Sequence, residues 1–192
     1  MTPAVISTIV LAGLVLLLIL WFIAAYNGLI RRRNQVQESW AQIDVQLKRR
    51  HDLIPNLVKT VKAYADFERS VLNDVTRLRT RAIDDQTVGD KQRNENALSG
   101  ALRSLFAVAE NYPDLKANTN FLELQQQLSE IEDVLQKSRR YYNGTVRNYN
   151  TRVQTIPSNL VAGLFGFGNE EFFEMDNETE RAVPDATLKD RQ

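Results

Sequence analysis

The 192-residue sequence is sparing with the side chains that usually carry out reactions. It has no cysteine and one histidine, His51. Without thiols there is no disulfide frame, no thiolate nucleophile and no Cys-ligated metal. Any Ser-His chemistry would have to rest on His51 alone. That residue follows Lys48-Arg49-Arg50 and reads as a solvated helix residue in a basic run. No Glu-x-x-His pair is present, which removes the di-iron four-helix bundle from consideration. The inventory therefore predicts a protein that is not an enzyme and carries no cofactor or metal.

The polar residues with a clear pattern are of another kind. Tyr142-Asn143 recurs seven residues on as Tyr149-Asn150, with Val146 between the pairs and Arg139 about one turn before them. Seven residues are two helical turns, so both pairs share one face. A buried hydroxyl or amide left without a hydrogen bond costs about 1–3 kcal/mol, so such residues specify a partner and a register. That partner is either a polar-lined patch inside the same bundle or another subunit. Asn143-Gly144-Thr145 and Asn177-Glu178-Thr179 also match the glycosylation sequon, which has no meaning on a cytoplasmic side.

The element that must position the Tyr-Asn pairs is a long helix. Phe121, Leu124, Leu128, Ile131, Leu135, Ser138, Tyr142, Val146, Tyr149, Val153 and Ile156 keep heptad spacing, which predicts a helix over 119–155 of about 55 Å. Pro157 stops it. Upstream, Val36, Trp40, Ile43 and Leu47 begin a second stripe that continues to Leu78. Pro55 interrupts this stripe and predicts a kink or a break, with Asp52 fitting the cap of a new helix. Residues 84–90 read as a polar surface turn. A further helix is expected over 94–111, ended by Pro113, with a turn over 112–116. No strand alternation occurs. The fold class is all-α: an antiparallel bundle of long helices with coiled-coil-like packing. The heptad stripe alone does not say whether it faces its own chain or a neighbour.

What the bundle hangs from is the first stretch, Pro3 to Tyr26. It holds no charge and only Ser7 and Thr8 as polar residues. About 20 apolar residues cross a hydrocarbon core, so 4–26 is expected to be a transmembrane helix after a short extracytoplasmic 1–3. A signal peptide fits poorly, because no basic n-region precedes the run and the run is too long. Trp21 and Tyr26 stand where aromatic rings prefer the headgroup level, and Arg31, Arg32 and Arg33 follow. The positive-inside rule then puts the N-terminus out and the remainder in the cytoplasm. Asn27-Gly28 is expected to be a soft joint between anchor and bundle. Ala24-x-x-x-Gly28 has spacing that supports helix pairing in membranes.

Charge is asymmetric although the formal net charge is zero. Residues 27–62 carry eight Lys or Arg against three Asp or Glu, and 169–192 carry eight acids against three bases. The basic segment fixes topology and is also suited to anionic headgroups. The zero net balance gives no reason to expect nucleic acid as a partner. The bundle is expected over 27–157. It is followed by a Gly/Phe-rich apolar segment over 158–175, containing Phe165, Phe167, Phe172 and Phe173, and by an acidic, disordered tail over 176–192.

With these residues laid out, the chain resembles the bacterial LemA family. Trp40 and Ile43, then Leu47-x-x-Arg50-x-Asp52-Leu53-Ile54-Pro55-Asn56-Leu57-Val58 and Val61-Lys62-x-Tyr64, are similar to its first signature. Arg139-x-x-Tyr142-Asn143-x-x-Val146-x-x-Tyr149-Asn150, Pro157, Ala162, Gly166-Phe167 and Phe172-Phe173-Glu174 are similar to its second. One departure is Phe67-Glu68, where a His before the Glu would be expected. The resemblance implies a single-pass protein of the bacterial inner membrane with an all-helical cytoplasmic domain and no established enzymatic activity. It also implies a link to membrane organisation: one branch takes part in forming magnetosome membranes, and other members are encoded beside membrane metalloproteases. Two functional expectations follow. One is a scaffold that self-associates on membrane lipids; the other is an adaptor presenting partners to a membrane protease or transporter.

Overall fold

The computed structural model describes residues 3–64, 68–84 and 87–173, and within them the chain is built from helices alone. The first, α1, runs Pro3–Lys62 without interruption, about 90 Å at 1.5 Å per residue. Its N-terminal part is long and apolar enough to cross a membrane, and residues 6–21 of it are exposed. Asn27 and Gly28 lie inside this continuous helix, so the expected soft joint is absent. Trp21 is exposed and Tyr26 half-buried near the end of the apolar stretch, and Arg31, Arg32 and Arg33 are exposed just beyond it.

The expected break at Pro55 is also absent. Proline lacks the amide that would bond the carbonyl four residues back, which here is that of His51. Arg79, from the helix α2 (Arg69–Asp84), donates from Nε to that carbonyl at 2.7 Å. A side chain from a neighbouring helix thus replaces the missing donor, and α1 continues. Asp52 is consequently an exposed mid-helix residue rather than a cap, and Pro55 and Asn56 are exposed beside it.

Helix α2 runs back along α1, and α3 (Val88–Ala109) runs outward again. It begins six residues before the expected Asn94. Thr87 accepts from the Asp90 amide at 3.1 Å and donates its hydroxyl to the Asp90 carboxylate at 2.7 Å, a capping arrangement that turns the polar stretch into a helix start. Tyr112 to Lys116, expected as a turn, contains a four-residue helix α4 (Pro113–Lys116) that buries Leu115. Then α5 (Thr119–Gln154) returns antiparallel to α1 with Asn118 as its cap, accepting from the Phe121 amide at 3.1 Å. Contacts mark the register: Asn118 meets Tyr64, Glu132 meets Arg50, and Thr145 meets Ser39.

The heptad stripe of α5 is buried from Phe121 to Tyr149 apart from half-buried Leu124 and Ser138, and it faces this chain's own α1. Ile156, expected on the stripe, is 83% exposed because the helix ends at Gln154. Two cores result. The distal one joins the end of α1 with α2, α3, α4 and the start of α5. The membrane-proximal one joins α1 from Ala25 to Leu47 with the second half of α5 and the residues after it.

Candidate functional site

The Tyr-Asn pairs grip the chain's own C-terminal segment. After α5 the chain forms a short helix, α6 (Ser158–Leu164), whose end is turned by Gly166 at φ +69°, a left-handed conformation that suits glycine. The Phe167 amide bonds back to Ala162 O at 2.9 Å, and the turn drives the Phe167 ring into the core. From there to Phe173 the backbone is non-helical and lies along α5.

Each asparagine makes a reciprocal pair with that backbone. Asn150 Nδ2 donates to Glu170 O and its Oδ1 accepts from the Glu170 amide, both at 2.9 Å. Asn143 does the same with Phe173, both at 2.8 Å. Tyr142 donates its hydroxyl to Glu171 O at 2.9 Å. Burial, then the carboxylates of Glu170 and Glu171, push the Tyr142 phenol up to about 12, so it stays protonated and able to donate. Tyr149 is buried beneath the clamp. An amide side chain is the one group that offers a donor and an acceptor side by side, as a β-ladder does. Of the two partners the spacing left open, the one present here is this chain's own 170–173.

Phe173 is fully buried between Trp40 and Arg139. Its ring lies 5.8 Å from that of Trp40, and the Arg139 guanidinium carbon stands 4.7 Å from its centroid. Trp40 also packs on Tyr142 at 5.3 Å and receives the Lys91 ammonium at 5.7 Å. The second signature's Phe172 is 41% exposed and its Phe173 is buried, as alternation in an extended segment requires.

A buried ionic knot ties α1 to α3 and α5. Arg50, 1% exposed, pairs with Glu95, bonds Glu132 at 2.7 Å and Ser99 at 2.8 Å. His51 Nε2 lies 2.8 Å from the other Glu95 oxygen. His51 is therefore not the solvated residue that its basic neighbours suggested: it is 7% exposed, because α3 covers it with a carboxylate. Burial works against the Glu95 charge, but the His51 hydrogen bond and the Arg50 charge outweigh it and hold the carboxyl below its ordinary range. Glu95 escaped notice in the sequence, although a signal existed: it stands three residues before Leu98 on the apolar stripe of α3.

The third feature is at the membrane edge. Phe165 packs on Phe22 and Tyr26, with ring centroids 5.8 and 4.7 Å apart, and Phe167 lies 5.8 Å from Tyr26. This seats α6 against the last turns of the apolar part of α1. On its other side Leu160 is 70%, Leu164 71% and Phe165 50% exposed, next to exposed Ile156 and Pro157. Soluble monomers seldom expose so contiguous an apolar patch. Arg33 reaches Glu170 loosely, at 3.8 Å.

With this geometry in hand, comparison with known proteins decides the family. The family model described as the LemA family matches residues 39–187. The chain belongs to the LemA family. It is 26% identical to Protein LemA of Metamycoplasma hominis, over 86% of this chain and 76% of that protein. It is 26% identical to Magnetosome protein MamQ 2 of Paramagnetospirillum magneticum over 78% of its length, and 22% identical to Magnetosome protein MamQ of Magnetospirillum gryphiswaldense over 77%. It spans 64% of each of those two magnetosome proteins. The clamp and the α6 turn account for most residues of the second signature of this LemA-family chain; of the first, Trp40 joins the clamp and Arg50 the knot, while Ile43, Leu47, Ile54, Leu57, Val58 and Val61 line the two cores. Those residues shape the bundle and fold the C-terminal segment back onto it. Residues 174–192, including Glu174 and the acidic tail expected to be disordered, lie outside the described residues.

Proposed function

We propose that this chain is a non-enzymatic, single-pass scaffold that self-associates and organises or shapes the cytoplasmic membrane of a bacterium. Its N-terminus is outside, and Arg31, Arg32 and Arg33 hold the bundle on the inner side. The observation that carries the reading is α6. A short apolar helix is braced by ring contacts against the end of a membrane-length helix, with Leu160, Leu164 and Phe165 turned outward. A wedge in one leaflet beside a rigid rod displaces headgroups on that side only, and many copies side by side would bend or order the bilayer. Apolar burial contributes about 25 cal/mol per Å², so three such side chains suffice to hold the segment at the interface. The names of the magnetosome relatives support the same direction.

The test is reconstitution of the full chain in anionic vesicles, with imaging of vesicle shape and light scattering of the detergent-solubilised protein. The expected result is an oligomer at micromolar concentration and altered vesicle curvature, the latter lost in Leu160→Ser/Leu164→Ser. A clean monomer that leaves vesicles unchanged would sink the scaffold reading. A defined protein partner with a small oligomeric state would favour the adaptor of a membrane protease or transporter instead.

A further inference from the structure

Helices α3 and α5 meet through Phe106 and Phe121, whose rings are 6.0 Å apart, and splay around a groove of about 1070 Å³. That volume admits a small organic molecule. Ser99 donates to Glu132 across the groove at 3.3 Å. With the two helices antiparallel, Arg139 of α5 comes level with Arg93 and Asn96 of α3, at one end of the groove. Here the groove carries unmet donors. Arg139 is 4% exposed, yet its Nε and Nη2 have no hydrogen-bond partner among the described residues, and neither has the buried Asn96 Nδ2. Nε and Nη2 share one edge of the guanidinium, the edge that takes two oxygens of a carboxylate or phosphate side by side. The Phe173 ring packs on this guanidinium, its centroid 4.7 Å from the central carbon, but offers no oxygen.

The groove's own acids do not answer these donors. Glu132 is held by Arg50 and Ser99, Glu130 accepts from Gln126, and Asp133 is exposed. Burial pulls the Arg139 guanidinium below its ordinary value, against the raising effect of the Glu132 charge. A buried cation with an unpartnered two-donor edge calls for an oxyanion. The lining beside it is polar, with Ser99, Ser129 and Gln136, while apolar Phe106 and Leu122 stand at the far end. That favours a polar body over a hydrocarbon one. Ser39 faces Thr145 and Arg50 faces Glu132, so Arg139 lies level with Asp44, about 17 Å past Arg33 along α1. Headgroups beside Arg33 do not reach so far. We propose that this end of the groove binds a small, water-borne organic anion, its carboxylate or phosphate held by Arg139 and Asn96. Such binding is independent of whether the chain self-associates or bends membranes.

The test uses the full chain, labelled with nitrogen-15, in phosphatidylcholine nanodiscs. The Arg139 Nε–H resonance, assigned by its loss in Arg139→Lys, is followed while glycerol 3-phosphate, glutarate or uncharged glycerol is added. At least one of the two anions is expected to shift it saturably, at one per chain, and glycerol to leave it in place. Titration calorimetry then reads affinity in variants. Arg139→Lys, which keeps the charge but loses the two-donor edge, and Asn96→Ala should each weaken binding about tenfold or more. Arg140→Gln, an exposed position on the same helix, should leave it unchanged. Affinity should also be the same in phosphatidylglycerol nanodiscs. No saturable shift with either anion, undiminished affinity in both groove variants, or loss of binding in phosphatidylglycerol, which would mean that a headgroup takes the site, would each overturn the proposal.

Discussion

At the residue scale, the side chains that looked chemical serve to hold the fold. Glu95 has no exposed surface and is held by Arg50 and His51. Removing one partner of a buried pair strands the other, so Glu95→Gln should lower stability by about 3–5 kcal/mol in urea unfolding. The same contact sets a pH dependence. The Glu95 carboxyl titrates lower in the folded chain than in the unfolded one. Its contribution is therefore complete above the ordinary glutamate range and is lost as pH falls through the depressed folded value. Acid unfolding of Glu95→Gln should accordingly be flatter than that of the parent. The asparagine clamps predict a local effect: Asn143→Ala leaves the Phe173 amide and carbonyl unpaired. Hydrogen exchange at Phe173 should accelerate by about 10–100-fold, the equivalent of about 1–3 kcal/mol, while α5 amides near Leu128 stay protected.

At the element scale, the central case is a proline inside a helix. Pro55 leaves the His51 carbonyl without its helical donor, and Arg79 supplies one from α2. Arg79→Leu should therefore cost about 1–3 kcal/mol. In a Pro55→Ala background the helix can make its own bond, so the same substitution should cost clearly less; a double-mutant cycle on thermal or urea unfolding reads the difference. This case also shows where the sequence falls silent. The bundle helix α5 was legible to within one residue because heptad spacing is local, and its lower limit is fixed by an Asn cap. The continuity of α1 was not legible, because it depends on a hydrogen bond from a residue 28 positions away. The burial of His51 was hidden for the same reason: Glu95 comes from another helix. Apolar periodicity also says nothing of amide-to-backbone pairs, so the Tyr142-Asn143 and Tyr149-Asn150 spacing announced a partner without naming it.

At the scale of the whole molecule, the first stretch and the last described one meet. The membrane-length helix continues as the spine of the bundle, and α5 and α6 bring the chain back to its base. The apolar anchor was plain from composition, whereas the seat of Leu160, Leu164 and Phe165 beside it required the fold. The proposed scaffold role requires α6 to lie in the cytoplasmic leaflet. The most direct measurement is spin-label accessibility at a single cysteine, Leu164→Cys, in the full chain reconstituted in bilayers, compared with Val45→Cys. The label at 164 is expected to be reached by oxygen and shielded from a water-soluble relaxation agent, while that at 45 shows the reverse. A label at 164 as accessible to the aqueous agent as the one at 45 would contradict it.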